Sequence, residues 1–286
     1  MREKLINAIA DLMARAVIDL PDDVEHALKE AIAHEEEPAK TQLAAVLKNI
    51  ELARHTRKPM CQDTGTPTFY ITVGTAFPYT NLLKEAIVEG VKKATTEVPL
   101  RPNAIDVLTG KNSGDNTGKD IPYLNWSLVE GDGCTITVMP KGGGSENMST
   151  LKMLKPGVGL KGTKEFVVGW MIEAAGNPCP PTTVGVGIGG GSDIAMKLAK
   201  RALLRKVGER HENKEIAAME EELLHAINEL GIGAMGLGGK TTILDIHIEV
   251  AHRHPASLPV AIAMQCWANR RKTMKIDKEG NIWNID

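Results

Sequence analysis

The chain has 286 residues, of which 42% are hydrophobic and 24% are charged, as is typical of a globular protein. Its net charge of −2 and aromatic content of 3% give no basis for a nucleic-acid or membrane-surface partner. There is no signal-peptide core and no long apolar run, so we expect no membrane span and a cytoplasmic location. In that compartment the four cysteines favour metal binding or catalysis over disulfides.

The first part of the chain predicts helices. Residues 1–57 carry apolar side chains such as Leu5 and Ile9 at helical spacing. A second helix is expected to begin after Pro21, where acidic residues suit the positive end of the helix dipole. Pro38 separates this helix from a third. We therefore expect a helical layer over residues 1–57.

From residue 58 onward the pattern changes to short strand-like runs that alternate with glycine clusters and helices. This alternation predicts a mixed α/β core with glycine-rich loops at the strand ends, on which the N-terminal helices pack. No linker or repeat divides the chain, so we expect a single domain over residues 1–286. The predicted strands are 69–73, 135–139, 183–188, 242–250 and 258–264, and the predicted helices are 82–94, 164–175, 192–206 and 212–229.

Cys61 lies in a loop that could carry chemistry. It precedes Gln62 and Asp63, and the turn-forming residues 64–67 follow. A thiol in such a loop is accessible to a metal, and the neighbouring amide and carboxylate can hydrogen-bond to whatever the metal binds. The alternative is a turn that contains a thiol without a function.

Two further cysteines are candidates, and a fourth is not. Cys179 lies among the prolines of 178–181, whose stiff backbone suits either a fixed ligand or a plain connection. Cys266 ends an apolar run and, taken alone, fits a core residue at least as well. Cys134 opens a predicted strand without polar neighbours, so we expect it in the core.

Three glycine clusters, at 142–144, 187–191 and 236–242, allow backbone N–H groups to approach an anion closely. The third contains Gly-Lys-Thr and is similar to a phosphate-binding loop. It does not match, because Ala234 stands where the first glycine is required and a strand is predicted where the helix should follow. Carboxylate binding by these loops, or tight packing against a metal cluster, is the better interpretation.

Basic residues in loops are candidates for binding an anionic substrate. Arg101 lies between two prolines, and residues 252–254 place two histidines around an arginine. Arginine and histidine suit carboxylates, although a surface arginine and metal ligation by the histidines are alternatives. The basic residues 270–272 form a cluster too short to predict a partner.

Together these motifs resemble the iron–sulfur-dependent (class I) fumarate hydratase and L-tartrate dehydratase family, along nearly the whole chain. The resemblance implies a [4Fe–4S] cluster bound by Cys61, Cys179 and Cys266, with one iron that lacks a protein ligand. Cys134 has no counterpart among the cluster ligands. The matching segments are 61–66, 141–147, 179–181, 185–190 and 253–255.

The resemblance implies a hydro-lyase with a small dicarboxylate substrate, chiefly fumarate hydratase, which interconverts fumarate and (S)-malate in the tricarboxylic acid cycle. The alternative is L-tartrate dehydratase. Asp63 would be the acid/base partner, with Gln62 beside the leaving hydroxyl. Substrate-binding roles are implied for Arg101, for His254, and for the backbone of Gly143 and Gly144.

The chain resembles the first of the two parts that make a catalytic unit in this family. It would therefore be an alpha subunit that needs a beta subunit, in an α2β2-type heteromer, and the catalytic base would lie on the beta subunit. Alternatives of another class are a zinc protein that uses the cysteines and a non-catalytic scaffold subunit.

Overall fold

The structure is a computed structural model that describes residues 1–285; Asp286, the last residue of the predicted single domain, lies outside them. It confirms the mixed α/β class. The described chain forms two compact units. The first comprises Met1–Pro21, Asn49–Gly143 and the chain from Arg270 onward, and the second comprises Asp22–Lys48 and Gly144–Asn269. That the two form one domain stays a prediction.

The regular elements follow one another as helices first and then strands mixed with helices. The helices are α1 (Arg2–Ile18), α2 (Asp22–His34), α3 (Ala39–Thr56), α4 (Thr80–Glu97), α5 (Gly143–Glu146), α6 (Gly159–Ala174), α7 (Ser192–Ala202) and α8 (Lys214–Asn228). The strands are β1 (Thr68–Gly74), β2 (Tyr123–Val129), β3 (Cys134–Val138), β4 (Thr150–Leu154), β5 (Thr182–Gly190), β6 (Ile243–Arg253), β7 (Leu258–Gln265), β8 (Lys272–Ile276) and β9 (Ile282–Asn284).

The three N-terminal helices are confirmed, as are all the predicted later helices and strands, with shifts of a few residues at their ends. Five elements were not predicted: α5, β2, β4, β8 and β9. Of these, β2, β4 and β9 are short or largely exposed strands that lack a regular alternation of buried and exposed residues.

The first unit is built on a five-stranded sheet in the order β2-β1-β3-β8-β9. Strands β1 and β2 are parallel, and the other neighbouring pairs are antiparallel. Helices α1 and α4 supply the rest of its core, in which Ile9, Phe69 and Ile136 are almost completely buried. Gly90 allows the close crossing of the two helices, because a Cβ there would lie 2.5 Å from Cγ2 of Ile9.

The second unit contains a four-stranded sheet in the order β4-β7-β5-β6. Strand β5 is parallel to β6 and antiparallel to β7. Strands β5 and β7 are almost entirely buried, whereas the second half of β6 is more exposed. Helix α7 lies directly on β5, because a Cβ on Gly185 or Gly187 would come within 2.0 Å of a carbonyl oxygen of α7. These two glycines of β5 therefore allow the close approach of a helix, which the sequence did not predict.

Among residues 1–285, no helix combines the length and the apolar character that crossing a membrane requires.

Candidate active site

Asp63 is the most constrained of the predicted catalytic residues. Its Oδ1 accepts the N–H of Gly65 at 2.9 Å, and its Oδ2 accepts the N–H of Gly143 at 2.7 Å. The structure therefore brings together two predicted site residues, Asp63 and Gly143, that lie 80 positions apart. Each carboxylate oxygen keeps a second lone pair that can face a substrate. Gln62, the neighbouring candidate, is exposed.

The backbone of the loop that carries Cys61 pairs with the residue just before the first glycine cluster, 142–144. Thr66 and Lys141 exchange two hydrogen bonds, of 2.8 and 3.0 Å. Gly65 has a φ of +82°, and a Cβ there would lie 2.7 Å from the carbonyl carbon of Pro140. Only glycine fits this approach, so the turn after Asp63 has a packing reason for its sequence.

Arg101 is exposed, and its backbone is fixed while its side chain is not. Its carbonyl accepts Oγ1 of Thr64 at 3.3 Å and Nδ2 of Asn116 at 3.2 Å. Asn116 is buried and also accepts the N–H of Asn103 at 2.7 Å. Within residues 1–285 the guanidinium makes no hydrogen bond, which leaves it able to bind an anion. Sequence reasoning missed both asparagines.

Cys61 and Arg101 open into the same cavity. The cavity has a volume of about 600 Å³. Its lining includes Cys61, Gln62 and two cationic residues, Arg101 and Lys58. A space with a thiol, an amide and two positive charges suits a small anion that also contacts a metal.

The basic residues 270–272, from which the sequence predicted nothing, are buried. Arg270 is only 1% exposed, and its Nη1 donates to the carbonyl oxygen of Asp63 at 2.9 Å. A buried guanidinium thus fixes the backbone of the candidate acid/base residue. No sequence signal indicated this role, because a basic cluster this short predicted nothing.

Cys179 and Cys266 lie just outside two neighbouring strands of the second unit. Antiparallel pairing of β5 with β7 sets Thr183 opposite Gln265, so the segments just before β5 and just after β7 lie at the same end of the sheet. The N–H of Trp267 donates to the carbonyl of Cys179 at 3.1 Å. The structure therefore brings these two predicted ligands' segments together, 87 residues apart in sequence.

The conformation and exposure of these cysteines separate them from Cys134. Cys179 is exposed and has a φ of +57°, a left-handed conformation that costs a non-glycine residue about 1–2 kcal/mol. Cys61 and Cys266 are half-buried. Cys134 lies in the core, and burial raises the pKa of its thiol to about 12. A thiol that resists ionisation in this way is a poor metal ligand.

His254 lies in the exposed turn after β6. Its Nδ1 accepts the N–H of Ala256 at 3.1 Å, so the neutral ring carries its proton on Nε2. Arg253 donates from Nη1 to the carbonyls of His254, Pro255 and Ser257, each at 3.1 Å. Arg253 thus holds the turn, whereas His254 presents a donor to solvent.

Comparison with known proteins points to the family that the sequence motifs resemble, over nearly the whole chain. A family profile described as fumarate hydratase (fumerase) matches residues 6–275. The chain is 51% identical over 281 residues to a Methanocaldococcus jannaschii protein provisionally named L(+)-tartrate dehydratase subunit alpha, covering 96% of this chain and 99% of that protein. It is 36% identical over 284 residues to L(+)-tartrate dehydratase subunit alpha of Escherichia coli, covering 99% of this chain and 94% of that one.

The chain belongs to the class I fumarate hydratase and L-tartrate dehydratase alpha-subunit family. It is therefore a hydro-lyase alpha subunit, as the resemblance implied. Both of these relatives are named for L(+)-tartrate. The family is iron–sulfur-dependent, so the question is whether the residues around the cysteines fit an iron–sulfur cluster.

The residues around Cys266 fit an iron–sulfur cluster. Nε2 of Gln265 and Nδ2 of Asn269 are buried N–H donors without a hydrogen-bond partner within residues 1–285. Cluster sulfurs accept such hydrogen bonds. Cys61 belongs to the first unit, and Cys179 and Cys266 belong to the second. Taken by itself, neither unit's described part holds a group of three or more His, Cys, Asp or Glu residues that could bind a metal.

Proposed function

We propose that this chain is the alpha subunit of a hydro-lyase that dehydrates L(+)-tartrate. The observation that carries the proposal is the similarity, over nearly the full length of both chains, to alpha subunits named for that substrate. Fumarate hydratase is the second candidate, favoured by the description of the matching family profile. Both reactions remove or add water beside a carboxylate and need the same groups.

In the proposal Cys61, Cys179 and Cys266 hold a [4Fe–4S] cluster. Their exposure or half-burial and the buried amide donors of Gln265 and Asn269 support this set. Three thiolates leave one iron without a protein ligand. When bound, that iron supplies Lewis acidity toward the hydroxyl that leaves.

The substrate is a dianion, and the residues proposed to bind it are cationic or donate hydrogen bonds. Arg101 and His254 bind carboxylates, and Lys58 adds a second positive charge to the cavity that Arg101 lines. The amide of Gly143 already donates to Asp63. The neighbouring amide of Gly144 therefore takes the role of the backbone donor to the substrate.

Dehydration breaks a C–O bond at one carbon and a C–H bond at the next. The departing hydroxyl needs a proton, which Asp63 delivers while Gln62 hydrogen-bonds to the same oxygen. The two backbone amides that Asp63 accepts keep its carboxylate oriented toward that oxygen. The product is an enol, which becomes a keto diacid. The base that takes the carbon-bound proton is proposed to lie on the beta subunit.

The names of the relatives as alpha subunits support a beta-subunit partner for this chain. We place the pair in an α2β2-type heteromer in the cytoplasm. A non-catalytic scaffold is the competing function, and a zinc site is the competing use of the cysteines.

Anaerobic co-purification with the beta subunit tests the function. The complex is analysed for iron, sulfide and zinc and assayed with L(+)-tartrate, fumarate and (S)-malate. We expect iron and sulfide in equal amounts and faster turnover of tartrate. Zinc without iron would overturn the cluster, faster turnover of fumarate would select the second candidate, and no turnover by an iron-loaded complex would support the scaffold.

Serine variants test the ligand set. Cys61→Ser, Cys179→Ser and Cys266→Ser should each abolish the visible absorbance of the cluster after anaerobic reconstitution, because a hydroxyl does not replace a thiolate. Cys134→Ser is the matched control and should keep the absorbance, since its thiol lies in the core. The assignment is wrong if the control alone loses the cluster.

A further inference from the structure

Glu35 is a buried carboxylate in the connection between α2 and α3. It is 5% exposed, whereas its neighbours Glu36 and Glu37 are exposed. Its Oε2 accepts the N–H of Lys240 at 2.9 Å, and its Oε1 accepts the N–H of Thr241 at 2.5 Å. The amides that would face a phosphate in a phosphate-binding loop are thus occupied by an anion of the chain itself.

The glycine-rich loop 233–241 lies directly against the Glu35 segment. Its Gly239 has a φ of +139°, and a Cβ there would lie 2.8 Å from both Cβ of Ala39 and Oε2 of Glu35. Gly236 and Gly238 also have positive φ angles, of +75° and +87°. A loop with so many glycines loses much conformational entropy on folding, so its shape depends on the groups that hold it.

The opposite side of this loop packs on the segment that carries Cys179. The N–H of Met235 donates to the carbonyl of Pro180 at 2.9 Å. A Cβ on Gly236 would lie 2.8 Å from Cα of Gly176. These contacts flank Cys179, one residue after it and three before it. The glycine-rich loop therefore stands between the Glu35 carboxylate and a predicted cluster ligand.

We propose that Glu35 is a positioning residue for Cys179. Cys179 has a left-handed backbone, so its conformation needs support from its surroundings. The carboxylate fixes the amides of Lys240 and Thr241, these fix the loop, and the loop supports the residues on both sides of Cys179. This inference rests on the proposed role of Cys179 in holding the cluster.

The test variant is Glu35→Gln, which keeps the shape of the side chain. A carboxylate offers an acceptor oxygen to each amide, whereas a glutamine offers one oxygen and turns its NH₂ toward the other N–H. One buried amide then lacks a partner. The matched control is Glu36→Gln, because Glu36 contacts the Lys240 side chain, at 3.3 Å, and not the backbone of the loop.

Hydrogen exchange in the iron-free full-length chain measures how strongly Glu35 supports the segment around Cys179 when no cluster is bound. The amides of Cys179 and Thr182 donate to Gly176 and Thr242, at 3.2 and 3.1 Å, and report on the segment 176–182. In Glu35→Gln these amides should exchange about tenfold faster, the loss expected for one charge-assisted hydrogen bond. Glu36→Gln should leave them unchanged.

Cluster retention in the anaerobically purified complex is the second readout. After exposure to a fixed dose of oxygen, Glu35→Gln should lose its visible absorbance about tenfold faster than the parent protein. Leu223→Ala, which empties part of the core elsewhere in the same unit, controls for general instability. It should lower the melting temperature without speeding the loss of absorbance.

The outcomes separate this inference from the proposed function. If Cys179→Ser keeps its iron, the ligand assignment fails. If Cys179→Ser loses its iron and Glu35→Gln matches Glu36→Gln in both exchange and cluster loss, only the positioning role fails. Should Glu35→Gln not fold, Gly236→Ala disturbs the same support at its contact with Gly176. Unchanged exchange in Gly236→Ala would likewise overturn the role of the loop.

Discussion

At the scale of single residues, the backbone at Asp63 is held by a cation that does not itself face solvent. Arg270 is almost completely buried, and its Nη1 donates to the Asp63 carbonyl. A hydrogen bond from a charged donor contributes about 1.5–3 kcal/mol. The orientation of the candidate acid/base side chain therefore depends on a residue four positions after Cys266.

Arg270→Gln should lower kcat more than it changes KM. The variant loses the donor to Asp63, so the carboxylate is less well placed for proton transfer, and an error of this kind costs about 100-fold in rate. The measurement is steady-state kinetics on the assembled enzyme at matched iron content. Lys275→Gln, at an exposed position of β8, is the control and should behave like the parent. Equal kinetics for the two variants would contradict the role of Arg270.

Sequence reasoning nominated candidate site residues that carry chemistry in their own motif, such as Cys61, Asp63 and Arg101. It missed Asn116 and Arg270, because these residues act through partners far away in the chain. Nothing in a local pattern distinguishes a buried arginine that holds a carbonyl from an arginine on the surface. Candidates for the direct roles could therefore be proposed from the sequence, and the supporting contacts could not.

At the scale of elements, the glycines of β5 are required by the helix that covers it. A Cβ on Gly187 would lie 1.9 Å from the carbonyl oxygen of Ala195 in α7. No side-chain rotation relieves this overlap, since both groups belong to the backbone or are attached to it directly. The sheet and the helix must separate if a methyl group is added.

Gly187→Ala should destabilise the protein by about 2–4 kcal/mol, as overpacking of a close contact does. Gly169→Ala is the matched control. Gly169 lies in α6 with no atom within 4 Å of an added Cβ, so alanine there should stabilise by about 1 kcal/mol through helix propensity. Urea unfolding of both variants measures the difference. Similar stabilities for the two variants would show that α7 does not pack closely against β5 at Gly187.

The elements that sequence reasoning identified have regularly spaced apolar residues, as in α1, or a long apolar run, as in β7. Strand β2 lacks both, because most of its side chains are exposed. Strand β8 begins with Lys272, which is buried, and such a start is not typical of a core strand. The pairing of β5 with β7, which brings the segments of Cys179 and Cys266 together, is a tertiary contact that no local pattern contains.

At the scale of the whole molecule, the second unit encloses a group of charges. Asp245 and Glu220 are fully buried. Arg210 contacts both, at 2.5 Å from Asp245 and 3.6 Å from Glu220. Burial opposes ionisation of Asp245, but hydrogen bonds from His247, Gly208 and Arg210 outweigh it, so the pKa of Asp245 lies below its usual value. Arg205 completes the group through Glu220.

The stability of the protein should therefore fall in acid. A carboxyl group whose pKa is lower in the folded state stabilises fully above its unfolded pKa, about 3.9, and loses this contribution as the pH drops through the folded value. Asp245→Asn should lower the free energy of unfolding by about 3–5 kcal/mol at pH 7. It should also make the fall of that free energy below pH 4 less steep. Urea unfolding across pH 3–7 measures both. Glu221→Gln, at an exposed position of α8, should show the same dependence of unfolding free energy on pH as the parent protein. If Asp245→Asn also showed that dependence, the stabilising role of ionised Asp245 would be refuted.

At Cys179 the residue that best suits the left-handed backbone differs from the residue that the proposed chemistry needs. A glycine at this position would relax the chain and make the protein easier to fold. Under the proposed function the same change would remove a metal ligand. Under that proposal, the thiol at this left-handed position keeps the protein below the stability that a glycine would allow, because turnover requires the ligand.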